Sequence, residues 1–99
     1  VKLVVSPQAA DDIEVAVRWW VANRPAAPDL LEREILACLE FISSSPLGGA
    51  AMASRRMIGV RRIALVRSRY LLYYRVCEED SAVRVLRLWH ASRRPPRKL

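Results

Sequence analysis

Histidine is the residue type that exchanges protons near neutral pH, and this chain contains one, His90. Around it in sequence lie arginines and tyrosines, a combination that invites comparison with phosphodiester chemistry. Cleaving RNA through its own 2′-hydroxyl needs a base, an acid and a cation for the charge of the phosphorane. His90 is the candidate base, Tyr70, Tyr73 or Tyr74 the candidate acid, with Tyr73 preferred, and Arg61 and Arg75 the candidate cations. Arginine cannot itself act as the base, because it does not deprotonate in proteins. An unshifted phenol is a weak acid for the purpose, and no lysine or carboxylate falls within the three strand-like runs that follow residue 59. As a nuclease the constellation is incomplete.

No other chemistry competes strongly. Cys38 and Cys77 lie far apart inside apolar stretches. With a single histidine they assemble no zinc site of the usual kind, so both read as small core residues and no cofactor or metal is implied. The charge is more informative. The 99 residues carry 17 Lys+Arg against 10 Asp+Glu, a formal net charge of +7. Residues 1–50 hold 4 basic and 7 acidic side chains, a net −3, whereas residues 51–99 hold 13 basic and 3 acidic, a net +10. A half this basic points to an anionic partner, nucleic acid or an acidic protein segment. The length allows one domain, no apolar run reaches the 18–20 or so residues of a membrane span, and no signal peptide is expected. The expected location is the cytoplasm, with no membrane partner.

The elements that must position these residues follow from periodicity. Residues 2–5 are apolar and β-branched, which suits a short strand. Ser6-Pro7 then reads as a helix cap and first turn, and Ile13, Val17, Trp20 and Val21 recur at helical spacing over 7–23. Arg24-Pro25-Ala26-Ala27-Pro28 breaks that helix. A second starts either at Pro25 or at Asp29, which has Glu32 at capping-box spacing, and its stripe is Leu31, Ile35, Cys38, Leu39 and Ile42. Residues 43–59 hold all 3 glycines and read as a loop. Runs 60–66, 69–76 and 82–89 are strand-like, with short turns between them. The expected fold is α+β, a single domain ordered strand-helix-helix-strand-strand-strand, with a helical hairpin packed on an antiparallel sheet. Ile13, Val17, Trp20, Ile35, Leu39, Ile42, Leu72 and Tyr74 are the expected core. Residues 1–92 form the domain and 93–99 a basic tail that cannot continue a strand.

Within run 69–76, Tyr70, Leu72, Tyr74 and Val76 share one face, and Leu71, Tyr73 and Arg75 the other. Arg61, Arg62, Arg69, Arg75, Arg84 and Arg87, with Tyr73 and His90, can form a cationic surface interleaved with aromatics. Such residues grip phosphates and stack on bases, or simply discourage edge pairing. Trp19, Trp20 and Trp89 read as core or partner-facing.

Three stretches carry a resemblance: VRRI at 60–63, RYLLYYRV at 69–76 and LRLWHASR at 86–93 resemble the C-terminal half of RelE/ParE-type toxins. SPQAADDIEVAVRWWVANRP at 6–25 is similar to the first helix of that family. Some relatives place a His-Tyr pair at the end of the last strand, whereas His90 is followed by Ala91, and the lysines of other relatives have no counterpart. His90 and Arg93, spaced H-x-x-R, look more like the ParE branch. The resemblance implies the toxin of a type II toxin-antitoxin system that poisons DNA gyrase. The alternatives are ribosome-dependent mRNA cleavage, or a diverged copy that only binds antitoxin. It also implies a ParD-like antitoxin, acidic and amphipathic, whose apolar side chains would lie between hairpin and sheet near Trp19, Trp20 and Trp89. Its carboxylates would meet Arg61, Arg62 and Arg75. Arg69, His90, Arg93 and Arg94 are the expected target-binding residues.

Overall fold

The computed structural model describes residues 1–97 and 99. Strand β1 (Lys2–Val5) leads into helix α1 (Pro7–Asn23) and helix α2 (Leu30–Ser44). The chain then forms β2 (Ala50–Ala51), a 3₁₀ turn (Arg55–Met57), β3 (Val60–Leu65), β4 (Tyr70–Cys77), a second 3₁₀ turn (Glu78–Asp80) and β5 (Ala82–His90). The five strands make one sheet in the order β1-β5-β4-β3-β2, in which only β1 runs parallel to its neighbour.

Helix α1 starts where Ser6 accepts the Ala9 N–H at 3.0 Å, with Pro7 in the first turn. The Ser6 hydroxyl also donates to Leu86 O at 3.2 Å, which fixes the helix start to β5. The helix buries Ala9, Ala16 and Trp20, and the two alanines let its first half lie close to the sheet. Ile13 and Val17 are only half-buried, and Val21, expected in the stripe, is exposed. Helix α2 begins at Leu30, not at Pro25, and the capping box does not form: Asp29 has helical backbone and makes no side-chain cap. Instead the Trp20 indole donates to Ala27 O at 2.8 Å and anchors the link between the helices. Leu31, Ile35, Cys38 and Ile42 are the buried stripe of α2, with Leu39 half-buried.

The segment expected to be a loop is more ordered than its glycines suggest. Ala50 and Ala51 pair with Arg62 and Arg61, and Ser54 caps the first 3₁₀ turn. The Tyr74 hydroxyl donates to Pro46 O at 2.7 Å and accepts the Gly49 N–H at 2.8 Å. A Cβ on Gly49 would lie 2.7 Å from that hydroxyl, so the close approach requires glycine.

The core lies in two parts. Under the helices, Trp20, Leu31, Ile35, Ile42, Leu72, Tyr74, Val83, Val85 and Leu88 form the larger cluster. On the far face Met57, Val60 and Tyr73 are buried, with Met52, Leu71, Leu86, Trp89 and Leu99 packed against them. A bulge in β5 opposite Tyr73 and Tyr74 shifts the alternation, so that Leu88 follows Val85 onto the helix side and Trp89 joins Leu86 on the far side. Trp89 therefore does not share a groove with Trp19 and Trp20, as the sequence reading expected. The alternation after the bulge turns it away from the helices. Its indole donates to Arg94 O at 2.9 Å, and Leu99 reaches the same cluster, so the tail makes contacts with the domain. Lys98 lies outside the described residues.

Candidate functional site

A groove of about 870 Å³ opens at one end of the sheet, between the second half of α1, the turn from β3 to β4 and the end of β5. Two helix carboxylates set its walls. β1 pairs with β5 only as far as Val85, so the edge of β5 beyond it is open. Asp12 of α1 closes that edge, accepting from the Leu88 N–H at 3.0 Å and from the Arg87 guanidinium at 2.7 and 3.0 Å. The hydrogen bond from Arg87 to Asp12 raises the guanidinium pKa further above its ordinary value. Glu34 of α2 accepts the Arg67 and Ser68 N–H groups at 3.0 and 2.9 Å, which clamps the β3–β4 turn to the helical layer.

Arg69 closes that turn with a left-handed backbone, φ 69°. A four-residue hairpin connection requires such a residue, and the position favours glycine. Its N–H bonds Leu65 O, and its carbonyl accepts the Ala91 N–H, joining the turn to the segment after β5. Sequence reading had placed Arg69 in the strand, which starts instead at Tyr70.

Tyr70 and His90 are cross-strand partners, their rings edge to face at 4.9 Å and 86°. Burial pushes the Tyr70 phenol up. His90 Nδ1 is 3.1 Å from the Ser92 N–H and 2.7 Å from the Ser92 hydroxyl. A backbone N–H can only donate, so Nδ1 is the acceptor and the proton of the neutral ring lies on Nε2. In this tautomer the nitrogen left for a ligand, Nε2, is a donor. Arg24 stacks over Trp19 at 4.9 Å and reaches Trp20 at 5.6 Å, while Arg93 stacks over Trp89 at 3.8 Å. The Ser68 hydroxyl, buried in the groove wall, has no partner among the described residues.

Arg69, His90 and Arg93 thus line one groove with Trp19 and Trp20, whereas Arg94 is exposed outside its lining and offers its carbonyl to Trp89. Arg61, Arg62 and Arg75 lie toward the other end of β3 and β4. Arg61 donates to Leu47 O and Gly49 O, and Arg75 to Ile58 O at 2.6 Å. Arg75 lies five residue steps along β4 from Tyr70, about 17 Å at strand rise. Tyr73 is fully buried on the far face, its hydroxyl unpartnered among the described residues. The structure does not bring His90, Tyr73, Arg61 and Arg75 together. Sequence reasoning missed Arg24 and Arg67 as groove residues. Arg24 was accessible from the helical spacing that places it beside Trp20; Arg67 needed the turn geometry.

Residues 3–95 match the family of the ParE toxin of type II toxin-antitoxin systems, parDE. The chain belongs to the ParE toxin family. Solved structures agree on the fold. The chromosomal ParDE system from P. aeruginosa aligns over 93% of this chain and 97% of its own, with 20% identity and TM-score 0.75. The YoeB/ParE toxin from Agrobacterium tumefaciens covers 91% and 98%, with 18% identity and TM-score 0.65. The RelBE2 toxin-antitoxin complex from Mycobacterium tuberculosis covers 90% and 95%, with 23% identity and TM-score 0.57. No curated protein sequence matches the chain. As a ParE-family member it is a type II toxin of the ParE/RelE superfamily, built as two helices on a mostly antiparallel five-stranded sheet.

Proposed function

We propose that this ParE-family toxin arrests growth by poisoning DNA gyrase through binding, without cutting RNA. The observation that carries this reading is the separation of His90 from Tyr73, from Tyr74, whose hydroxyl is engaged by Pro46 and Gly49, and from the cation candidates Arg61 and Arg75. His90 presents a donor nitrogen, Tyr73 is enclosed, and Arg61 and Arg75 are tied to loop carbonyls at the other end of β4. The remaining groove keeps Tyr70 against His90, but burial pushes that phenol above its already high ordinary pKa, which makes it a poor acid for the step. One purified sample tested for gyrase supercoiling and for translation-coupled mRNA cleavage decides the matter. The expected result is blocked supercoiling with stabilised cleaved DNA, and intact mRNA. Codon-dependent cleavage abolished by His90→Ala would establish the ribonuclease reading instead.

Such a toxin acts in the cytoplasm and is held inactive by a ParD-like antitoxin; the P. aeruginosa neighbour is itself a ParDE system. No helix among the described residues is long and apolar enough to cross a membrane. The antitoxin segment would set carboxylates on Arg61, Arg62 and Arg75, whose guanidiniums are half-exposed and free of carboxylate partners among the described residues. Its apolar side chains would meet Trp19 on one side of the sheet and Trp89 on the other, Trp20 being enclosed in the core, which requires it to wrap the domain. Calorimetry at low and high salt should show tight binding that salt weakens without abolishing, because apolar contacts are unscreened.

A further inference from the structure

We propose that the groove grips single-stranded DNA directly, with its arginines on the phosphates and Trp19 beneath a base. Four guanidiniums line it, those of Arg24, Arg67, Arg69 and Arg93. None has a carboxylate partner among the described residues, where the ion pairs belong to Arg18, Arg33, Arg84 and Arg87. Arg24 and Arg93 lie over indole rings at 4.9 and 3.8 Å, and apart from one Arg24 N–H that donates to Asn23 O their donors remain for phosphate oxygens. Trp19 is 46% exposed on the groove wall, an unusual position for the largest side chain in a small domain.

The balance of donors and acceptors selects the ligand. Asp12, facing the groove, is already saturated by Arg87 and Leu88, and the open His90 nitrogen is a donor. Of the groove's side chains, Asp11 alone offers a free carboxylate. An acidic peptide would bring backbone N–H groups of its own that need acceptors the groove scarcely has. A phosphodiester strand needs only donors for its backbone and π-faces for its bases. That the strand is DNA rests on the gyrase reading, since a gyrase poison meets DNA at the enzyme's cleavage site.

The test is fluorescence anisotropy of a labelled ten-nucleotide oligo(dT), with oligo(rU) and an Asp/Glu decapeptide as competitors, across a salt series with the full chain. Four phosphate contacts predict a slope of log K against log salt near about −2.8, at roughly −0.7 per contact for single strands. Arg67→Gln/Arg69→Gln should lower it to about −1.4 on the same basis. Trp19→Ala should weaken binding about 5- to 150-fold by lost stacking, with the slope falling by no more than the one contact of Arg24, which lies over that ring. Arg55→Gln/Arg56→Gln, outside the groove, should change neither. Equal loss of slope in both double variants would mean diffuse attraction and overturn the proposal, as would preference for the peptide or for RNA. Supercoiling assays on the same proteins separate the two readings. Gyrase inhibition without oligonucleotide binding refutes the DNA contact alone, and groove-dependent DNA binding without inhibition refutes the gyrase target alone.

Discussion

Replacing Asp12 by alanine should be among the most damaging single changes at the surface of this toxin. The Asp12 carboxylate takes three hydrogen bonds, two from Arg87 and one from the Leu88 backbone. The two side chains are 25% (Arg87) and 18% (Asp12) exposed, so the pair is neither freely hydrated nor fully enclosed. Breaking a fully buried pair costs about 3–5 kcal/mol, because the surviving charge is stranded. Exposed pairs are worth about 0–1 kcal/mol. The intermediate exposure, with the backbone N–H of Leu88 also losing its acceptor, places Asp12→Ala at about 2–3 kcal/mol. In a domain this size that lowers the melting temperature by roughly 8–24 °C. Asp12→Asn keeps an acceptor for Leu88 and should lose only about 1–2 kcal/mol. Urea titrations of the two variants, with Arg87→Ala and the double variant to complete a cycle, measure both the cost and the coupling. A cost below about 0.5 kcal/mol for Asp12→Ala, typical of an unconstrained surface site, would refute the claim that this carboxylate closes the edge of β5.

Further expectations concern the loop, the core and the turn. Tyr74→Phe strands Pro46 O and the Gly49 N–H together; chemical denaturation should show a loss of about 1–3 kcal/mol, with faster proteolysis at 46–49. Burial first, and Glu34 second, push the Cys38 thiol up to about 11 from 9.0. The unfolded thiol therefore ionises first, so stability is unaffected below pH 9 and falls as pH rises toward 11, by at most about 2–3 kcal/mol. Cys38→Ala should flatten that decline in urea titrations, and at pH 8 a thiol reagent should label the half-buried Cys77 before Cys38. Arg69→Gly removes a left-handed non-glycine worth about 1–2 kcal/mol of strain but adds about 0.5–1 kcal/mol of glycine entropy. The variant should melt at or slightly above the parent temperature while losing growth arrest.

Much of the architecture was legible because several local signals agreed. Ser6-Pro7 capped α1 where expected, and the alternation along 70–76 separated the two faces of β4 correctly. Failures came where tertiary contacts overrode local preference. Ala50 and Ala51 have no strand propensity and pair only because β3 offers an edge. Asp29 has the residue type and spacing of a cap, yet it adopts helical backbone because the link is pinned by the Trp20 indole instead. The groove was half legible. Arg69, His90 and Arg93 come from a turn and a strand end that the hairpin register brings together. Trp89 was misplaced because no sequence pattern announces the bulge at Leu86, and one extra residue decides which face a strand side chain takes.

The same register explains why groove and scaffold are hard to separate in this fold. The β3–β4 turn is held by Glu34 from α2 through the Arg67 and Ser68 N–H groups, and the end of β5 by Asp12 from α1. Each carboxylate comes from the acidic N-terminal half and each client from the basic C-terminal half. The charge asymmetry of the sequence is therefore used twice. Asp12 and Glu34 are consumed internally in fixing strand and turn, and each spends its charge on one guanidinium or on backbone N–H groups. That leaves Arg24, Arg67, Arg69 and Arg93 uncompensated around one opening. A surplus of cations distributed at random would be a solubility feature. Collected at one end of a sheet, with Arg24 and Arg93 over tryptophan and Arg69 on a left-handed turn residue, it is the arrangement that the proposed anionic ligand would exploit.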